Sequence, residues 1–321
     1  MKGTRTVVTG GGGFIGSRLL CALLVAGADV TLVGASLGKS AMTARLVHEG
    51  RVRFVPWGTD SWKGGLPLEV LHSAEALVLL GYTLPTSRDS AERRQEEQDL
   101  NVTPNIHLLG LTGDTLRHVV FASSVSVYGS PDRRPVHESD PVRPRTPYAV
   151  GKLAAEEALR DVADRRGLSL TTLRYATVYG PGETVPRAIP NFIRAALGRA
   201  PLLVDGDGLN AHDYLYVDDA VDATCAALRL HPNGTYNVAT GIGTTTLEVA
   251  RLILGITRSE SEVVHRPQRQ GEAERTRIVC ATERARTDLG FSARWRLPEG
   301  VQREVTWFRD QRVPLAGVMA W

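Results

Sequence analysis

The heptapeptide TPYAVGK sets Tyr148 and Lys152 four positions apart, so that on a helix both side chains fall on one face. An ammonium group beside a phenol favours the phenolate, which lowers the phenol pKa and fits Tyr148 to act as a general base near neutral pH. With eight tyrosines and four lysines in 321 residues, a chance YxxxK is expected only about 0.1 times. Two more hydroxyls, Ser123 and Ser124 in FASSVSVYG, follow a β-branched run at the point where a strand of an open α/β sheet would end. Alone they would read as ordinary capping serines. Beside YxxxK, either is placed to share a proton with the phenol and a substrate.

A second chemical signal lies near the N-terminus, in TVVTGGGGFIGSRLL. Gly10, Gly13 and Gly16 form GxxGxxG between a β-branched run and an amphipathic one. The first glycine permits a tight turn, the second lets the backbone approach a pyrophosphate, and the third lets helix and strand pack closely. The N–H groups at the start of the following helix, around Phe14 and Ile15, supply partial positive charge to the phosphates. The acidic residue expected to hold the adenosine ribose is missing, because the second strand ends Val33-Gly34-Ala35-Ser36 with Lys39 beyond. Ser36 suits a ribose hydroxyl of NAD, and Ser36 with Lys39 suits the 2′-phosphate of NADP, so these residues leave NAD and NADP both open.

The elements that must position these groups alternate. Residues 6–9, 30–33, 51–55, 76–80, 118–122 and 170–175 read as strands, and 14–26, 92–111 and 148–163 as helices. Such alternation predicts an α/β fold with a doubly wound parallel sheet of the Rossmann type. After Gly180 the rhythm changes: GPGETVP, a helix over 188–197, a short strand over 202–204 and the turn DGDG begin a smaller C-terminal lobe. A helix over 216–230 and the strand in GTYNVAT then return to the first sheet. The expected division is a dinucleotide-binding domain of residues 1–180 with 214–240 rejoining it, and a substrate lobe of 181–213 and 241–321.

Composition excludes several functions. A net charge of +3 with scattered arginines gives no nucleic-acid stripe, and no stretch approaches membrane-spanning length. Cys21, Cys225 and Cys280 show no CxxC spacing, and the eight histidines no metal-binding spacing, so no metal is expected and a reducing cytoplasm fits. No secretory signal is expected at the N-terminus.

Taken in order, TGGGGFIG, NVTPNIHLL, FASSVSVYG, PYAVGK, LRYATVYGPG and DGDGLNAHDYLYVDDAVDA resemble the extended short-chain dehydrogenases/reductases, specifically the NAD-dependent epimerase/dehydratase group acting on nucleotide sugars. The resemblance covers nearly the whole chain. It implies that Ser124, Tyr148 and Lys152 carry out the hydride chemistry, Tyr148 deprotonating the sugar 4-hydroxyl and Lys152 also bonding the nicotinamide ribose. It further implies that Asn101 lines the active site, that Thr177 stands where the family often has Asn, that Arg269 contacts the substrate diphosphate, and that residues 201–208, Val204 among them, border the base. It also implies a homodimer through residues 92–111 and 148–163.

The chain departs from the family at four places. His212 replaces the usual arginine before DYLYVDD; LLGYTLPTS puts Tyr82 and Thr83 near the active site; Thr177 replaces Asn; and Val125 and Ser126 stand where 4,6-dehydratases carry Asp-Glu. A standard 4,6-dehydratase is therefore disfavoured. The leading expectation is a self-contained enzyme that retains NAD, oxidises C4 of a UDP- or dTDP-hexose or hexosamine, epimerises it or eliminates across C5 and C6, and returns the hydride. Tyr82, a Cys or His side chain near the site, or Glu183 would supply any extra acid or base, and a tunicamycin-type 5,6-dehydration of UDP-N-acetylglucosamine is a specific variant. The alternatives are an NADPH-dependent 4-ketoreductase of a keto-deoxysugar nucleotide and a non-catalytic dinucleotide-binding regulator.

Overall fold

Seven short runs rich in Val, Leu and Thr form one parallel sheet in the computed structural model, which describes residues 1–57, 68–87, 90–131, 134–183, 185–267 and 276–311. They are β1 (Arg5–Thr9), β2 (Asp29–Gly34), β3 (Arg53–Pro56), β4 (Ala76–Leu79), β5 (His118–Ser124), β6 (Ser169–Tyr175) and β10 (Gly234–Val238), in the order β10-β6-β5-β4-β1-β2-β3. Every pairing is parallel. Adjacent residues of one strand feed opposite cores: Val8 packs with Leu19, Leu20 and Leu23, whereas Val7 packs with Leu108, Leu109 and Leu159. Both faces are therefore covered, as a parallel sheet requires. The strand order reverses beside β1, which opens a crevice beyond the carboxyl ends of β1 and β4.

One face carries α1 (Phe14–Val25), α2 (Ala41–His48) and α8 (Val217–Leu230); the other carries α3 (Leu68–His72), α4 (Ser90–Glu97), α5 (Thr103–Gly110) and α6 (Pro147–Arg166). Helix α6 runs longer than the spacing predicts because both ends are capped. Thr146 Oγ1 accepts from Ala149 N at 3.2 Å, Pro147 opens the first turn, and Gly167 closes the last in the left-handed region at φ 63°.

The helix expected over 92–111 is two helices joined by a π-helical turn, Gln98–Val102. Pro104 has no N–H to offer the carbonyl one turn back, and its ring would clash there, so the ladder widens before α5 resumes. Glu97, at the start of this turn, and Asn101, within it, are both buried.

The remaining elements are β7 (Thr177–Tyr179), α7 (Ala188–Leu197), β8 (Leu202–Asp205), β9 (Ala211–Tyr216), β11 (Gly243–Thr245), α9 (Thr246–Thr257), β12 (Val263–Arg266), β13 (Arg277–Ile278), α10 (Glu283–Leu289) and α11 (Leu297–Asp310). Strand β9 pairs with β7, β11 and β13, and β8 pairs with β12. Strand β7 follows β6 after one residue, and α10 packs back on α8 and β10.

Candidate active site

The crevice has a volume of about 1260 Å³, and its floor is the glycine loop between β1 and α1. Gly10 holds φ at +69°, and a Cβ there would lie 2.6 Å from Gly81 N. A Cβ on Gly16 would strike Gly10 O and stand 2.7 Å from Gly11 Cα, so helix and strand touch through that position. Gly13 is the N-cap of α1 and no side chain caps it, leaving the N–H groups of the first turn to face the crevice. Gly12, outside the GxxGxxG pattern, is as crowded: a Cβ there would overlap Leu37 O. It locks the glycine loop against the loop that carries Ser36. Ser36 Oγ accepts from Gly38 N at 3.2 Å, and Ser36 and Lys39 both line the crevice.

Ser124 and Tyr148 meet at the carboxyl end of β5. Ser124 stands close enough to the Tyr148 hydroxyl to favour its ionised form. Ser124 also caps the 3₁₀ turn Val125–Tyr128, accepting from Ser126 N at 3.2 Å. Ser123 points the other way and donates to Glu156. The alternating direction of a strand thus separates the two serines.

Lys152 is buried, and its Nζ donates to Ala122 O at 2.8 Å. The ammonium lies 5.9 Å from the centre of the Tyr148 ring. The expected lowering of the Tyr148 pKa by Lys152 is not what the structure gives. Burial dominates and pushes the phenol up, while Ser124 and the Arg187 guanidinium pull it down and Glu97 pushes it further up. Burial likewise brings Lys152 down to about 8, opposed by the carboxylates of Glu97 and Glu156.

Behind Lys152, Glu156 is committed to a buried ion pair, with Arg174 Nη2 2.7 Å from Oε2 and Nε 3.0 Å from Oε1. Arg174 Nη1 also donates to Tyr128 Oη at 3.0 Å, and Tyr128 donates to Asn237 Oδ1 at 2.7 Å. This chain ties α6, β6, the 3₁₀ turn and β10 together beneath the hydroxyl pair.

Tyr82, just past β4, sets its ring edge-on to Tyr148 with centroids 5.1 Å apart. Its hydroxyl donates to Glu97 Oε1 at 2.6 Å. Asn101 is spent on structure: Nδ2 donates to Thr83 O at 2.9 Å and to Glu97 Oε2 at 3.0 Å, and Oδ1 accepts from Thr83 N at 2.7 Å. Every polar atom of its side chain is therefore occupied. Glu183 is turned inward, buried 3.6 Å from Arg187 Nη1 and pushed up to about 7 by burial.

The chain matches the family described as the NAD dependent epimerase/dehydratase family over residues 6–239. It belongs to that family. The UDP-glucose 4-epimerase of Mycolicibacterium smegmatis is 34% identical over 319 residues, spanning 96% of this chain and 99% of that one. Among solved structures, UDP-glucose 4-epimerase of Thermotoga maritima with UDP-glucose superposes with a TM-score of 0.85 at 28% identity, covering 96% of this chain and 99% of that one. MoeE5 in complex with UDP-glucose and NAD superposes at 0.83 with 30% identity and the same coverage.

As a member of this enzyme family the protein uses NAD, and its residues fit that cofactor. The glycine cradle has no room for side chains at Gly10, Gly12 or Gly16, and the start of α1 at Phe14 and Ile15 is uncapped, so its free N–H groups would hold the phosphates. Ser36 would meet the adenosine ribose in place of an acid, and Lys152 with Tyr148 would hold the nicotinamide end. Gly16→Ala is expected to force α1 away from β1, costing about 1–3 kcal/mol and releasing the dinucleotide on gel filtration; retention of the cofactor at wild-type stability would contradict the close packing.

Thr177 opens β7 and is half-buried, and Val204 is fully buried on β8, where Gly208 packs on it. His212 lies on β9 with its ring 6.2 Å from that of Tyr214, and burial lowers its pKa. Arg269 lies outside the described residues. Sequence reasoning missed three residues. Gly12 was signalled only as the spare glycine of the run, Glu97 sat in the polar start of the helix expected over 92–111, and Arg187 had no motif. Among the described residues no group of three metal-ligating side chains occurs, and no helix is long and apolar enough to cross a membrane.

Proposed function

We propose that the protein is a UDP-hexose 4-epimerase that keeps its NAD bound through the reaction. The observation that carries this reading is the approach of Ser124, at the carboxyl end of β5, to the Tyr148 hydroxyl, with no acid and base following Ser124. Val125 is buried and Ser126 is a hydroxyl, so the turn holds no carboxyl to remove a C5 proton or expel a C6 group. The relatives that act on UDP-glucose span nearly the same length and favour a UDP-linked substrate.

In this reading the Tyr148 oxygen takes the proton of the sugar 4-hydroxyl, and the Ser124 hydroxyl, which bonds both, steadies the charge as it moves. NAD, when bound, accepts the C4 hydride and gives it back. Lys152 orients the nicotinamide ribose and keeps positive charge near the phenolate. After the C4 ketone turns its other face, Tyr148 returns the proton and C4 is inverted.

A hexose carrying a C6 carboxylate is the second reading. Arg187 acts on the Tyr148 hydroxyl, and the buried Ser126 Oγ has no partner among the described residues. A carboxylate beside the reacting carbon would satisfy both. MoeE5, solved with UDP-glucuronic acid as well as with UDP-glucose, shows that one site of this type accepts either sugar.

The test is incubation in D₂O, without added nicotinamide, with UDP-glucose, UDP-glucuronate, UDP-N-acetylglucosamine and dTDP-glucose, followed by mass spectrometry and proton NMR. Inversion at C4 of a UDP-hexose or UDP-hexuronate, without deuterium at C5 or loss of water, is expected. Loss of water or deuterium at C5 would replace epimerisation with elimination. Conversion of a 4-keto sugar nucleotide alone, with consumption of NADPH, would make the protein a ketoreductase.

A further inference from the structure

Lys152 carries the positive charge of the site in a fully enclosed position, and its hydrogen bond goes to the neutral carbonyl of Ala122. Two carboxylates act on it, Glu97 and Glu156. Glu156 is already neutralised by Arg174 through two guanidinium nitrogens and takes a further hydrogen bond from Ser123. Glu97 differs, because its side-chain hydrogen bonds come from the uncharged Tyr82 hydroxyl and Asn101 amide.

Its location is built. The π-helical turn brings Glu97 and Asn101 to the same side, and Gly151, between Tyr148 and Lys152 in sequence, leaves the space it occupies. A Cβ at Gly151 would stand 3.0 Å from Glu97 Oε2. The Lys152 ammonium in turn lies 5.3 Å from the centre of the Tyr82 ring, whose hydroxyl holds the other carboxylate oxygen. Tyr82, just past β4, thus supplies the phenol that holds this acid.

We propose that Glu97, clamped by Tyr82 and Asn101 against Gly151, is a positioning residue that serves as the counter-charge of the Tyr148–Lys152 pair. Tyr82 belongs to the same device as the clamp. The inference rests on Tyr148 and Lys152 being the working pair of the site, and it makes no demand on which sugar is turned over.

The other charged groups facing the pair are Glu156 on α6, Arg187 at the start of α7 and, facing Tyr82, Arg93 one turn before Glu97. A negative charge at Glu97 opposes ionisation of Tyr148 and opposes loss of the Lys152 proton, so removing it moves both titrations in one direction, toward lower pH. A residue that only held the fold would leave both titrations in place and change yield, stability or maximal rate instead.

The experiment is a near-ultraviolet phenolate titration of the NAD-saturated protein, taken as the difference between each protein and its Tyr148→Phe counterpart so that only Tyr148 is read. Glu97→Gln is expected to move the midpoint down by about one pH unit. Glu97→Asp, which keeps the charge, should stay near wild type. Tyr82→Phe, a milder change that leaves Oε1 without its donor and lets the carboxylate swing from Gly151, should shift it in the same direction by less. A midpoint unmoved in both Glu97→Gln and Tyr82→Phe would overturn the proposal, as would an upward shift in either. Where a sugar nucleotide is turned over, both limbs of the kcat–pH profile of Glu97→Gln should move down together; limbs that stay fixed under a lowered plateau would also overturn it. Since the titration requires no substrate, failure to turn over a UDP-hexose would count against the function proposed above and leave this outcome separately readable.

Discussion

Tyr148→Phe is expected to lower kcat on the order of a thousandfold or more, while cofactor retention and stability stay near wild type. The phenylalanine ring keeps the edge-on contact with Tyr82 and the position beside the Lys152 ammonium. It removes only the phenol oxygen, whose ionised form Ser124 favours. Any remaining turnover must then move the proton through Ser124 or a water. Turnover within tenfold of wild type would show that Tyr148 is not the base.

The second large effect concerns stability. Glu156→Ala is expected to cost about 3–5 kcal/mol in denaturant unfolding, because it leaves the Arg174 guanidinium buried without its carboxylate. Arg174 would retain Tyr128, but the link from α6 to β5 through Ser123 and to β6 through Arg174 would be gone. Glu156→Gln keeps the volume and one acceptor and should cost less. A loss below about 1 kcal/mol for the alanine variant would mean that the ion pair is relieved by water.

The strands were legible because a parallel sheet covered on both faces requires near-continuous β-branched and aliphatic runs, and Val7 and Val8 show that requirement on successive residues. The glycine cradle and the Tyr148–Lys152 turn were legible for a related reason: each rests on local spacing, and local spacing survives folding. What depended on tertiary packing was harder to read. The break at the π-helical turn follows from Pro104, yet its use, to aim Glu97 at Gly151, depends on how α4 meets α6. Asn101, expected to line the site, bonds Thr83 and Glu97 with its side chain, partners that no local spacing announces. The sign of the Tyr148 shift also escaped the sequence, since an isolated YxxxK helix predicts a lowered phenol, whereas enclosure by Tyr82 and the strand end makes desolvation the larger effect. Strand direction separates Ser123 from Ser124, one facing Glu156 and the other Tyr148, which spacing alone does not tell.

The central claim, that a hydride leaves C4 and returns to the same carbon inside one active site, is tested most directly with UDP-hexose deuterated at C4, incubated in ordinary water without added nicotinamide. The account predicts the C4-inverted product with the deuterium fully retained at C4. Product that has exchanged its C4 deuterium for solvent hydrogen, or that forms only when a reduced nicotinamide is supplied and consumed, would contradict it.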